Sequence, residues 1–167
     1  MINKQKIALL TDSCADIPQA LVRRYDIYVV PLKLIFSDGE YADGVDITPD
    51  EVYRRLPQEI PKTTLPSGDM VEQAFARIKQ AGYTKVLAIN LSGGLSGTSN
   101  MVRLIGEQTV GLEVASFDTR SGTLGICMTV VHAAVWIEWG GWWSALQGRL
   151  PARARGALIL CVMGAVH

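Results

Sequence analysis

Apolar residues fall along this chain in short runs that end abruptly in hydroxyls and carboxylates. Residues 6–11 form one such run and lead into Thr11-Asp12-Ser13, residues 85–91 form a second that leads into Ser92, and residues 113–118 a third that leads into Asp118-Thr119. Runs this short, bounded by turn formers, read as buried strands. Between them the period changes to that of a helix. Leu21, Val22 and Tyr25 share one face, as do Met70, Val71, Ala74, Phe75 and Ile78, and then Met101, Val102 and Ile105. A mostly apolar helix is expected from the loop Thr119-Arg120-Ser121-Gly122 to about Trp139.

Residues 27–36 are rich in Val, Ile and Leu and read as strand, but Pro31 lacks an N–H, so an edge, a bulge or two short pieces is expected there. Ser37-Asp38-Gly39 then forms a turn. Thr48-Pro49-Asp50-Glu51 has the form of a capping box, with Thr48 as N-cap, Pro49 in the first helical position and Glu51 able to reach back to the cap. Residues 57–67, with three prolines, are expected to be loop, and Gly82 is placed to stop the helix before it.

Alternating strands and helices predict an α/β fold: an open, mostly parallel sheet flanked by helices on both faces. Right-handed crossovers would bring every strand-to-helix loop to one edge, and ligands of open α/β sheets bind beyond the carboxyl ends of the strands. Three hydroxyl-bearing loops meet there: Thr11-Asp12-Ser13, the segment from Ser92 through Gly93, Gly94, Ser96, Gly97 and Thr98, and Asp118-Thr119-Arg120-Ser121. Hydroxyls, helix N–H groups and close backbone approach at glycine suit a carboxylate or phosphate. A single Ser or Thr at such a position is nonetheless more often a helix cap than a ligand contact.

Composition narrows the ligand. The 167 residues carry 16 basic and 16 acidic side chains, for a formal net charge of +0, and 49% are hydrophobic. This balance argues against nucleic acid or an anionic membrane surface, both of which select an excess of Lys and Arg. The apolar run 156–166 is too short to span a bilayer core of about 30 Å, so no transmembrane segment is expected. The N-terminus shows neither the apolar length nor the cleavage pattern of a signal peptide, which predicts a cytoplasmic protein. Cys14, Cys127 and Cys161 are scattered and odd in number, as expected for reduced thiols, with neither disulfides nor a zinc site.

Enzyme motifs fail on individual residues. The Gly-rich loop has no Lys for a Walker A site, and Thr98 stands where a nucleophile elbow requires glycine. His132 lies in an apolar helix and His167 is the last residue, so a Ser-His-Asp triad lacks a base. Asp12, Asp16, Asp43, Asp46 and Asp118 lack metal-binding spacing and read as caps and turns. No catalytic residue, metal or cofactor is expected.

The chain resembles a known family in five ordered stretches: Thr11-Asp12-Ser13-Cys14-Ala15-Asp16-Ile17-Pro18; Pro31-Leu32 with Asp43-Gly44-Val45-Asp46-Ile47-Thr48; Lys62-Thr63-Thr64-Leu65-Pro66-Ser67; residues 91–98 with Ser96-Gly97-Thr98; and Phe117-Asp118-Thr119. These are similar to the motifs of the DegV family of bacterial fatty-acid-binding proteins. The resemblance implies a carrier that holds a long-chain fatty acid by its carboxylate, with the tail in an apolar tunnel. It also implies a partner, a fatty acid kinase subunit related to dihydroxyacetone kinases, which phosphorylates the presented carboxylate for phospholipid synthesis. Matched by motif, Thr63 and Ser96 would hydrogen-bond the carboxylate, and Ser13, Thr64, Ser92, Gly97 and Thr98 would shape the same pocket.

The resemblance runs to about Gly140, which sets the expected domain at residues 1–140. Family members continue into a second α/β domain, whereas residues 141–167 match none of its motifs. Fifteen of the 16 carboxylates precede residue 122, and all four tryptophans fall between Trp136 and Trp143. A truncated or frameshifted gene product lacking the second domain is therefore expected. Two other readings stand beside the carrier: a small α/β hydrolase or phosphotransfer enzyme acting at the same strand ends, and a non-functional fragment.

Overall fold

The computed structural model describes residues 3–140 and Trp143. The sequence features at Arg149, Arg153, Arg155, Cys161, His167 and the apolar run 156–166 lie outside the described residues. Among the described residues, four parallel strands make the central sheet, in the order β2 (Ile27–Val30), β1 (Ile7–Asp12), β6 (Lys85–Asn90), β7 (Glu113–Asp118). In register, Leu9 lies opposite both Ile27 and Leu87, and Leu87 opposite Ala115.

Side-chain alternation divides the core into two layers. Ile7, Leu9, Leu87 and Ile89 face Ile126, Val130, Ala133 and Ile137 of α5 (Thr123–Glu138), with Leu21 and Val22 of α1 (Gln19–Tyr25) at the margin. Ala8, Leu10, Val86 and Ala88 face the opposite way, against Val71, Ala74, Phe75 and Ile78 of α3 (Gly68–Gln80) and Val102 of α4 (Thr98–Gln108). With both faces covered, all six residues of β1 are buried, which explains the unbroken apolar run in the sequence. Burying a side chain the size of Phe75 or Ile78 contributes about 1.5–3 kcal/mol.

Pro31 divides the 27–36 segment into two strands that belong to different sheets. After Leu32 the chain enters β3 (Lys33–Phe36), which pairs antiparallel with β4 (Gly39–Ala42) across the expected turn and with β5 (Lys62–Thr64) on its other side. The sequence reading anticipated the break but not the second sheet, and it placed β5 in loop. α2 (Pro49–Arg55) begins at Thr48, whose hydroxyl accepts from the Glu51 N–H at 3.3 Å. The expected capping box is half formed, because the Glu51 carboxylate turns outward to the guanidinium groups of Arg54 and Arg55. Gly82, at φ +90°, ends α3 as expected.

Trp143 is 8% exposed and packs at the amino end of the central sheet, where its indole N–H donates to Glu113 at 2.6 Å and its backbone N–H to Gln5 at 3.2 Å. Trp139, by contrast, is exposed. His132 is half-buried on α5 beside Trp136, with ring centroids 6.2 Å apart. No helix among the described residues is long and apolar enough to cross a membrane.

Candidate functional site

In the central sheet, β1 leads outward to β2 on one side, and β6 leads to β7 on the other, so the chain changes direction between β1 and β6. The carboxyl ends of this strand pair are the expected ligand position. Asp12 closes β1 there with no exposed surface. One of its oxygens accepts from the Cys14 N–H at 3.2 Å; the other accepts from Asn90 Nδ2 at 3.1 Å and from the Leu91 N–H at 2.8 Å. Burial pushes the carboxyl above its ordinary range, while the hydrogen bonds from Leu91, Asn90 and Cys14 pull it back.

Asn90 carries the network onward. Its carbonyl accepts from the Thr119 hydroxyl at 3.0 Å, and the Ser92 N–H donates to the Ser121 carbonyl at 3.2 Å. Asp118 accepts from the N–H groups of Gly93 at 3.1 Å and Arg120 at 2.9 Å. The second and third hydroxyl loops are thus one bonded unit. Among the described residues, the buried atoms Thr11 Oγ1, Asn90 Oδ1 and Ser121 Oγ have no hydrogen-bond partner.

The loop between β6 and α4 presents most of the candidate residues. Ser92 Oγ accepts from the Gly94 N–H at 3.2 Å. The hydroxyls of Ser96 and Thr98 lie 2.8 Å apart, and Ser96 Oγ also accepts from the Thr98 N–H at 3.3 Å. Ser96 is half-buried and Thr98 buried. Gly97 is the N-cap of α4 and offers no side-chain oxygen to the first turn, unlike Ser67 on α3 and Thr48 on α2. The N–H groups and the positive end of that helix therefore face the loop.

The second sheet brings the remaining candidates to this loop. A Cβ at Gly97 would stand 3.4 Å from Leu65 Cδ1, so the segment after Thr63 and Thr64 packs directly against the Ser96-Gly97-Thr98 turn. Thr63 lies opposite Leu34 and Thr64 opposite Lys33, both exposed. The Thr64 hydroxyl donates to the Leu65 carbonyl at 3.4 Å. Ser13 makes a different contact. Its hydroxyl accepts from the Leu32 N–H at 3.0 Å, tying the link between the two sheets to the end of β1.

Ser13 also lines a cleft of about 670 Å³ together with Thr11, Ile17, Val22 and Val29. Apolar side chains line it together with polar groups of the strand end, and among the described residues no Lys or Arg lines it. Among the described residues, no group of three or more His, Cys, Asp or Glu side chains is placed to hold a metal ion. As expected of a cap, Asp12 closes the short turn Ser13–Ala15. Its reach to Asn90 and Leu91, 78 and 79 residues away in the chain, left no local signal in the sequence.

Fold and loops together define an open α/β domain whose hydroxyl- and N–H-bearing loops gather at the carboxyl ends of its central strands. A family model described as the uncharacterised-protein DegV family matches residues 6–155. The chain belongs to the DegV family. The match continues past residue 140, the expected end of the domain. A DegV domain-containing protein of Clostridium acetobutylicum is 42% identical over 121 residues, covering 72% of this chain and 43% of the relative. Among solved structures, a fatty-acid-binding DegV family protein from Thermus thermophilus is similar at 32% identity and TM-score 0.80, covering 89% of this chain and 53% of that one. A Thermotoga maritima protein described as revealing fatty acid binding function is similar at 29% identity and TM-score 0.82, covering 90% and 56%. The chain thus spans about half the length of the relatives it matches.

Proposed function

We propose that this chain binds a long-chain fatty acid, with the carboxylate held by the loop between β6 and α4 and by the end of β5. The observation that carries this reading is the meeting of two motif segments far apart in sequence: Leu65, next to Thr63 and Thr64, packs on Gly97, between Ser96 and Thr98. Thr63 and Ser96 would donate their hydroxyls to the carboxylate, with Thr64, Ser92, Gly97 and Thr98 completing the polar wall. The N-terminus of α4 adds N–H groups and a favourable dipole. The similar proteins from Thermus thermophilus and Thermotoga maritima are described as fatty acid binding, which supports the same ligand class here.

The tail needs an apolar path, since each buried CH₂ contributes about 0.8 kcal/mol. The cleft beside Ser13 offers one along Ile17, Val22, Ile27 and Val29, while its carboxylates Asp12, Asp16 and Asp43 would repel the acid end. The bound acid would be presented to a separate kinase subunit of the dihydroxyacetone-kinase type for acyl-phosphate formation. This role assigns the chain no catalytic residue of its own.

Lipid extraction of the purified protein followed by mass spectrometry tests the reading, together with titration by palmitate. Copurified fatty acid or saturable binding is expected, and weaker binding on Ser96→Ala and Thr63→Val. Absence of both copurified lipid and saturable binding overturns it. With the kinase subunit added, acyl phosphate should form from bound palmitate and fall in step with occupancy.

A further inference from the structure

We infer that Asp12 is the positioning residue of the headgroup site: its buried carboxylate sets the Ser92–Thr98 loop against β1 and so fixes where the Ser96 hydroxyl points. The inference rests on the fatty-acid reading of that loop. Asp12 is fully buried, with both oxygens accepting from the protein, and a second carboxylate brought to it would be repelled. It therefore acts through the loop rather than on the ligand.

The geometry gives it a commanding place. One carboxylate receives the first N–H after β6, from Leu91, the side-chain amide of the last β6 residue, Asn90, and the N–H of Cys14 in the first loop. Asn90 passes the link to Thr119 in the third loop. Three strand-end loops are registered to one buried anion, and charge-assisted hydrogen bonds of this kind are about twice as strong as neutral ones. Asn90 donates its amide to Asp12 while its own Oδ1, fully buried, has no partner among the described residues. The orientation serves Asp12 at the expense of a buried acceptor, as expected where the network holds a functional geometry.

An amide at position 12 cannot reproduce the arrangement. If its oxygen keeps Leu91 and Asn90, its NH₂ group meets the Cys14 N–H; if it keeps Cys14, it meets two donors from β6. The loop must shift in either case.

The test compares two ligands of equal chain length, palmitate and 1-hexadecanol, on the full chain. Asp12→Asn is expected to weaken palmitate binding by about tenfold while hexadecanol changes by less than about twofold, because only the acid depends on the positioned donors. Equal losses for both ligands, or no loss for palmitate, overturn the inference. If Asp12→Asn does not fold, Asn90→Ala and Thr119→Val carry the test, since each removes one link and leaves the carboxylate in place. The same acid-selective loss is expected from them, and folded variants with wild-type palmitate affinity overturn the inference. Failure of the wild-type chain to bind palmitate is a different result, which overturns the fatty-acid reading itself.

Discussion

Gly106 and Val114 lie too close for any side chain between them: a Cβ at Gly106 would stand 2.7 Å from Val114 Cγ1 and 3.0 Å from its Cβ. This contact sets the distance of α4 from β7. Gly106→Ala improves helix propensity by about 1 kcal/mol, but overpacking against a β-branched side chain costs about 1–3 kcal/mol. A net loss of stability is expected, read as a lower midpoint in urea unfolding. Because Ser96 and Thr98 stand at the start of the same helix, palmitate affinity should fall with it. Pairing Gly106→Ala with Val114→Ala should restore part of both.

Gly93 makes a second close approach. Its Cβ would meet Asp118 Oδ2 at 3.0 Å, while its N–H donates to Asp118 Oδ1 at 3.1 Å. Gly93→Ala is expected to displace the Asp118 carboxylate and loosen the second hydroxyl loop from the third, leaving the Thr119–Asn90 and Ser92–Ser121 bonds. Amide hydrogen exchange should show faster exchange at Gly93 and Arg120, and unchanged protection in β1 and β6.

Arg55 clamps α2 onto the β3–β4 hairpin. Its guanidinium lies 5.0 Å from the Phe36 ring centroid and 5.1 Å from that of Tyr41, and it donates to Asp38 at 2.9 Å and Glu51 at 3.0 Å. Lysine lacks the planar guanidinium that stacks on the rings while its fork of donors reaches both carboxylates, so Arg55→Lys is expected to lower the melting temperature and speed exchange in the hairpin. Desolvation, which raises the Asp38 carboxyl, is outweighed by the Tyr41 hydroxyl and Arg55 together, which hold it below the ordinary range; Arg55 does the same for Glu51. Carboxyls lowered on folding stabilise the protein above their unfolded-state pKa, and that contribution is lost as pH falls through the folded-state values. Acid titration should therefore release the hairpin below the usual carboxylate range, and Arg55→Lys should move that release to higher pH.

Tyr83 is nearly buried, and its hydroxyl donates to Asp26 at 2.7 Å. Burial, together with that carboxylate, raises the phenol well above its ordinary value. The neutral phenol is thus favoured in the fold, and its contribution is lost as pH rises through the folded-state value. Tyr83→Phe is expected to cost about 1 kcal/mol at neutral pH, measured by chemical unfolding, and to make unfolding less steep in strong alkali.

The central sheet was legible because burial on both faces leaves an unbroken apolar run, as in residues 7–10, and because α3 and α4 show an apolar stripe. β5 was hidden for the opposite reason. Lys62-Thr63-Thr64 is short, polar and exposed, and lies between Pro61 and Pro66, so only its pairing with β3 makes it a strand. The loop carrying Ser92, Ser96 and Thr98 could be read from its hydroxyls and glycines. Its anchoring to Asp12 could not, because the partners Asn90 and Leu91 are joined to it only through the β1–β6 pairing.

That pairing also governs the order in which the molecule can assemble. β1 precedes β2, β6 and β7 in the chain, yet it lies between β2 and β6 in the sheet, with Ile7 opposite Lys85. Until β6 has been synthesised, β1 can pair only with β2, and one of its edges remains bare. Contacts so distant in sequence are slow to close, and an apolar strand with an open edge invites pairing with other chains. Folding yield should therefore depend on how quickly residues 85–90 follow, which makes the α3 segment, lying just before them, a timer as well as a cover for the core.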